Sequence, residues 1–192
     1  MKKLFLVSML GVALTFSTVF AQEKTDREGW GVGAIFGGGY LGFTPTLSLK
    51  APMLPIFWGI SANINSNYFG IGITGDYYFF DNVITELGPG TLGWYLGVGA
   101  YLGFANWRGN YWYNNGNRVR ESWTGGSIAG RVPVGLNYMM PLSSVRLEAF
   151  IEVAPSIGVG FRSWSNKYTG NNDGDVWPYW NIGGALGVRV WF

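Results

Sequence analysis

From Val145 to Phe161 the chain alternates without a break between two kinds of side chain. Val145, Leu147, Ala149, Ile151, Val153, Pro155, Ile157, Val159 and Phe161 fall on one side. Arg146, Glu148, Phe150, Glu152, Ala154, Ser156, Gly158 and Gly160 fall on the other. A period of two marks a strand whose two faces meet different surroundings, because successive side chains point opposite ways. The run is longer than a strand in a water-soluble domain usually is.

The same pattern recurs along the chain. Counting back from the end, Phe192, Val190, Val188, Leu186, Gly184, Ile182 and Trp180 oppose Trp191, Arg189, Gly187, Ala185, Gly183 and Asn181. Similar alternation runs through 127–140, 94–104, 69–79, 56–64 and 41–50. A Gly-rich first strand is expected from Trp30 to Gly37, with Ile35 on its polar face. Eight strands result. The connection at Pro141-Leu142-Ser143 reads as tight, Asp81 to Gly93 as intermediate, and Arg108 to Trp123 and Arg162 to Tyr179 as long polar loops. An even count places both ends of a closed sheet on one side and the long loops on the other. Pro45, Pro133 and Pro155 lie inside expected strands, where each lacks a ladder donor, so local bulges are expected there.

The second face decides which way the sheet curls. It holds mostly Gly, Ala, Ser and Thr, with few charges, and only 12% of the chain is charged. A face turned to water would carry more Lys, Glu and Arg, whereas small residues suit the crowded inside of a narrow barrel. Aromatic residues gather at strand ends (Trp30, Trp58, Phe69, Phe79, Trp94, Phe104, Phe161, Trp180, Phe192) as interfacial girdles do. The expected fold is all-β, an eight-stranded antiparallel transmembrane β-barrel with its apolar face toward lipid.

The beginning of the chain fits export. Met1-Lys2-Lys3 precedes an apolar run from Leu4 to Phe20, and Val19-Phe20-Ala21 offers small residues before a polar switch at Gln22. That is the layout of a cleavable signal peptide over 1–21. Residues 22–29 read as a short periplasmic N-terminal segment and 30–192 as the barrel. There is no Cys and no His, so neither disulfides nor a lipoprotein-type anchor is expected. Losing Lys2 and Lys3 takes Lys and Arg from 13 to 11, equal to the 11 acidic residues. A formally neutral chain has no basic footprint for nucleic acid.

The ending Arg189-Val190-Trp191-Phe192 resembles the last strand of Gram-negative outer-membrane proteins. That resemblance implies that Phe192 is an assembly signal for the barrel-assembly machinery. In length and pattern the chain resembles small OmpA/OmpX/OmpW-type barrels. More narrowly, residues 131–138 and 147–155, with 72–78 and 93–99 upstream, look like a spirochaete family of small outer-membrane barrels. The resemblance implies an integral outer-membrane location, with lipid as neighbour, and no established activity.

Seven charged residues are expected inside: Lys50, Asp76, Arg131, Arg146, Glu148, Glu152 and Arg189. Buried charges must pair or stay wetted. The tight turn is expected to set Arg131 opposite or one step diagonal to Glu152, and Arg189 level with Glu148, giving two ion pairs. Loop contacts to a host or surface ligand are expected from Arg108, Trp112, Arg118, Arg120, Trp164 and Trp177, since exposed aromatics beside Arg are common at binding surfaces. The alternative for these is the lipid headgroup level.

No catalytic residue, metal or cofactor is expected. Membrane-barrel palmitoyltransferases, phospholipases and omptin-like proteases resemble one another in relying on a histidine, and this chain has none. Asn171-Asn-Asp173-Gly-Asp175 resembles part of a calcium loop but lacks its closing acid. Two functions remain open at this point. One is a surface or structural barrel with a plugged lumen and aromatic-rich loops; the other is a narrow porin-like channel for small or apolar solutes.

Overall fold

The computed structural model describes residues 24–39, 42–109, 112–114, 117–119, 121–166 and 172–192. The expected signal peptide and Arg120 lie outside these residues, as do the side chains of Trp112 and Arg118.

Strands follow the alternation and outrun it. They are β1 (Gly31–Gly39), β2 (Gly42–Lys50), β3 (Phe57–Asn65), β4 (Tyr68–Leu87), β5 (Gly90–Arg108), β6 (Trp112–Asn114), β7 (Asn117–Val119), β8 (Glu121–Arg131), β9 (Val134–Leu142), β10 (Val145–Asn166) and β11 (Asn172–Trp191). β6 and β7 form a separate two-stranded ladder, and the other nine join one sheet. That sheet closes, because β11 pairs with both β1 and β10. β8 and β9 share one place in the ring, each lying between β5 and β10. The result is an antiparallel ring of eight positions. Its two ends meet as sequence parity requires: Trp30 and Phe192 exchange backbone hydrogen bonds at 3.2 and 2.9 Å.

The apolar set faces outward. Ile151, Leu186, Ile182 and Ile157 are 51%, 59%, 62% and 73% exposed, while Glu148 and Tyr95 on the inner face are 0% exposed. The inner face is therefore the polar one, inverted relative to a protein with a dry apolar centre.

Several connections differ from the expected ones. The turn between β9 and β10 is Ser143–Ser144, with Ser143 at φ 51°, one step beyond the expected Pro141-Leu142-Ser143. The segment from Asp81 to Gly93 is strand on both sides of a two-residue turn at Gly88–Pro89, with Gly88 at φ 59°. Register shifts at Tyr78/Phe80 and Val83/Thr85 swap the faces there, which broke the period of two. Nor is Arg162 to Tyr179 a long loop, since β10 and β11 stay paired up to Ser165 and Asn172.

The prolines do not cause bulges. Pro45 sits in unbroken register opposite Phe36, and the ladder to β3 begins only at Thr46. Pro133 interrupts the strand between β8 and β9 without shifting register on either side. Around it, Val132 N–H donates to the Pro155 carbonyl and Gly97 N–H to the Pro133 carbonyl, both at 2.9 Å. Pro133 and Pro155 lie nearly across from each other, but their missing donors face different neighbours, Pro133 toward Gly97 on β5 and Pro155 toward Val132.

Glycines on the inner face seat the large side chains opposite them. A Cβ at Gly135 would run into the Tyr95 ring and the Ile151 carbonyl. Gly135→Val should therefore lower the stability of refolded protein by about 1–3 kcal/mol, the usual cost of overpacking. Urea unfolding checks this against Gly130→Val, where nothing lies within 4 Å of the added carbon. Equal midpoints for the two variants would refute this seat for Tyr95.

Candidate functional site

The enclosed charges sit in two layers. In the layer nearer the chain ends, Glu148 stands level with Arg189, as expected: the two are register partners on β10 and β11. Arg189 Nη1 lies 3.2 Å from Glu148 Oε2, and its Nε–H donates to Ser48 Oγ at 2.7 Å. Trp191 Nε1–H donates to the same carboxylate at 3.0 Å. The other Glu148 oxygen accepts from Arg27.

Arg27 is the functional residue that sequence reasoning missed. Residues 24–29 do not trail free of the ring. Below β3, the edge of β4 is open, and the N-terminal segment takes it: Lys24 bridges Asn82, and Thr25 N–H donates to the Asp81 carbonyl at 3.1 Å. The chain then crosses the mouth toward β1 and drops the Arg27 side chain inside, 3% exposed. There it pairs with Glu148 and Asp81, the latter at 3.1 Å. Its guanidinium stands 4.5 Å from the Tyr95 ring centre, with Phe57 and Tyr78 at 5.5 and 5.4 Å. Arg189 stacks similarly on Phe150 at 4.1 Å. Such stacking suits guanidinium, which is weakly hydrated and planar.

In the next layer Arg131 lies between Asp76 and Glu152, at 3.2 and 2.5 Å. Tyr95 and Tyr78 hydroxyls donate to Glu152 Oε2 at 3.0 and 3.3 Å. The Arg131–Glu152 pair forms, but not through the expected register. The shifted turn sets Arg131 opposite Ser156 and Glu152 opposite Gly135, so the long Arg side chain reaches along the interior to make the contact. Lys50 is buried too, donating to the Ala51 carbonyl at 2.8 Å beside the Phe57 ring.

Arg146 is not among the enclosed charges. It lies at the rim where the chain ends meet, pairs with the Asp26 carboxylate and donates to the Glu28 carbonyl. The physical reason is position: Arg146 is the second residue of β10, opposite Pro141, too near the strand end to be covered. It thereby straps the N-terminal segment across the mouth.

Four cations (Arg27, Lys50, Arg131, Arg189) thus meet four carboxylates (Asp76, Asp81, Glu148, Glu152) within the ring. Trp191, Tyr95 and Arg189 are at most 2% exposed, so this half is packed shut. Toward the opposite end lies a cavity of about 130 Å³. Among the described residues, no three acidic side chains converge as metal ligands would.

The expected contact residues scatter. Phe192 is exposed at the chain-end rim and Arg108 at the opposite end, where its backbone N–H donates to the Asn67 carbonyl at 2.8 Å. Trp164 and Trp177 are not on a loose loop. They stand half-buried on the extended β10 and β11, with the Arg162 guanidinium between them at 4.6 and 4.9 Å from the ring centres. Asp175 pairs with that Arg162 at 3.3 Å.

Comparison with known proteins gives a likeness of fold. No family model and no curated protein matches the chain. A major outer membrane protein from Thermus thermophilus, known from a crystal structure, is similar. It is 15% identical over 85% of this chain and 98% of its own, with a TM-score of 0.50. The architecture shared with that protein is the all-β antiparallel ring.

Proposed function

We propose that this protein is an integral outer-membrane β-barrel with a polar, plugged lumen, acting in surface structure or partner contact through its projecting hairpins. The observation that carries this reading is the inversion of the ring: an apolar outer band around a charge-paired inside. Water-soluble chains do not expose apolar bands of this extent, whereas membrane barrels require them. The likeness to an outer membrane protein supports the same location. On this reading residues 1–21 are removed during export, Phe192 presents the last strand to the barrel-assembly machinery, and lipid covers the outer face. The interior groups are structural rather than catalytic, because each carboxylate in the two layers is already held by an arginine.

A narrow porin-like channel is the second reading, favoured by the cavity and opposed by the packed half beneath it. Two measurements test the pair. Refolded protein should migrate anomalously on gels until boiled, and it should give no discrete openings in a planar bilayer. Regular openings would favour the channel; identical mobility before and after boiling would count against a membrane barrel altogether.

A further inference from the structure

The cavity has features that a simple plug does not require. Its wall includes Thr46, Ser61, Thr74, Ser156 and Asn181, which are half-buried inner-face residues that solvent can reach. Asp76 and Arg131 also line it. Asp76 Oδ1 and Arg131 Nε lie 3.2 Å apart, yet each is buried and neither forms a hydrogen bond. The Nε–H does not aim at the oxygen.

A buried acceptor and a buried donor side by side, neither serving the other, suit a partner that both gives and takes. A hydroxyl group does so. One ordered water could serve the pair, but a water needs only ~10–15 Å³ of such space, and the cavity has about 130 Å³. The charged side chains around it are two and two, Asp76 and Glu152 against Arg131 and Arg189, so the site favours neither sign. Tyr179 brings an aromatic ring to the wall, and Trp177 precedes it on the same face of β11.

We propose that this cavity binds a neutral saccharide unit of about one ring. A sugar ring carries hydroxyls that donate and accept around its edge and C–H patches on its faces. The first match the Ser, Thr, Asn and Asp76–Arg131 lining, and the second match the aromatic side. Concave sites with a few placed polar groups and aromatic walls are the usual form of small-ligand sites. The proposal goes beyond the membrane reading and does not depend on it, since the cavity lies wholly inside the ring.

The test is calorimetric titration of the refolded full-length mature chain with methyl glucoside, methyl galactoside and methyl mannoside, alongside choline and acetate. Saturable binding of at least one hexoside is expected. Ser61→Phe, which fills the cavity away from the ion pairs, should weaken it at least tenfold. Ser156→Phe serves the same purpose if the first variant does not refold, as judged by gel mobility. A free sugar and the terminal residue of a glycan share this chemistry, and retention on immobilised oligosaccharides ending in the responding hexose separates the two. Saturable binding of choline or acetate without any hexoside overturns the proposal. So does an absence of saturable binding to all three hexosides, or hexoside binding that both filled variants retain.

Discussion

Replacing Glu148 with alanine should destabilise the folded protein by about 3–5 kcal/mol, the range for removing one partner of a buried ion pair. The reason is the number of groups that depend on this single carboxylate. Arg189 and Arg27 both pair with it, and the Trp191 indole N–H donates to it. Arg189 would keep its bond to Ser48 Oγ and the faces of Phe150 and Phe57, but no carboxylate beside it in that layer. Removing Arg27 should cost less, because Glu148 keeps Arg189 and Trp191, and the other carboxylate left behind, Asp81, is 18% exposed. In an Arg27→Ala background, Glu148→Ala should then cost less than it does alone, because one fewer guanidinium is left unpaired. Urea unfolding of the four proteins in lipid measures the cycle. Additive losses would mean that Arg27 does not share the carboxylate.

The legibility of this site in the sequence follows from how each contact is specified. Arg189 facing Glu148 depends only on strand parity and on the last strand meeting its neighbour, and alternation encodes both. Arg131 with Glu152 depends on where the chain turns. Ser143 and Ser144 look no more turn-like than Pro141 does, and φ 51° at Ser143 is a conformation that residue type does not announce. The β4 bulges at Tyr78/Phe80 and Val83/Thr85 break the alternation around Asp81, so it reads as the start of a connection rather than as an inner-face strand residue. Arg27 is harder still. Its burial depends on the open edge of β4 below β3 and on Arg146 strapping the crossing segment at the rim. Both are tertiary features with no periodic trace. The upper β10 and β11 escaped for another reason. Toward their upper ends polar and apolar residues mix on both faces, so the contrast that reveals a strand fades while the strand itself continues.

The orientation of the ring makes its own large prediction. Ile151 points outward near the middle of the apolar run that opens β10, flanked by Leu136 and Leu186 on the neighbouring strands. If acyl chains surround it, Ile151→Arg places a cation near the middle of the hydrocarbon layer, and a loss of about 2–4 kcal/mol is expected in lipid vesicles. Val176 also points outward, 77% exposed, but higher on β11, opposite Phe161 at the edge of the apolar band. Val176→Arg should cost no more than about 1 kcal/mol, as substitutions near the interface do. In water the two sites would behave alike, since an exposed arginine is indifferent to its height on a solvated wall. The difference between the two variants thus reads the depth of each residue directly, free of any effect common to placing arginine on a strand. Equal unfolding midpoints for Ile151→Arg and Val176→Arg would place the outer face in solvent and leave its apolar band to be covered by something other than a membrane.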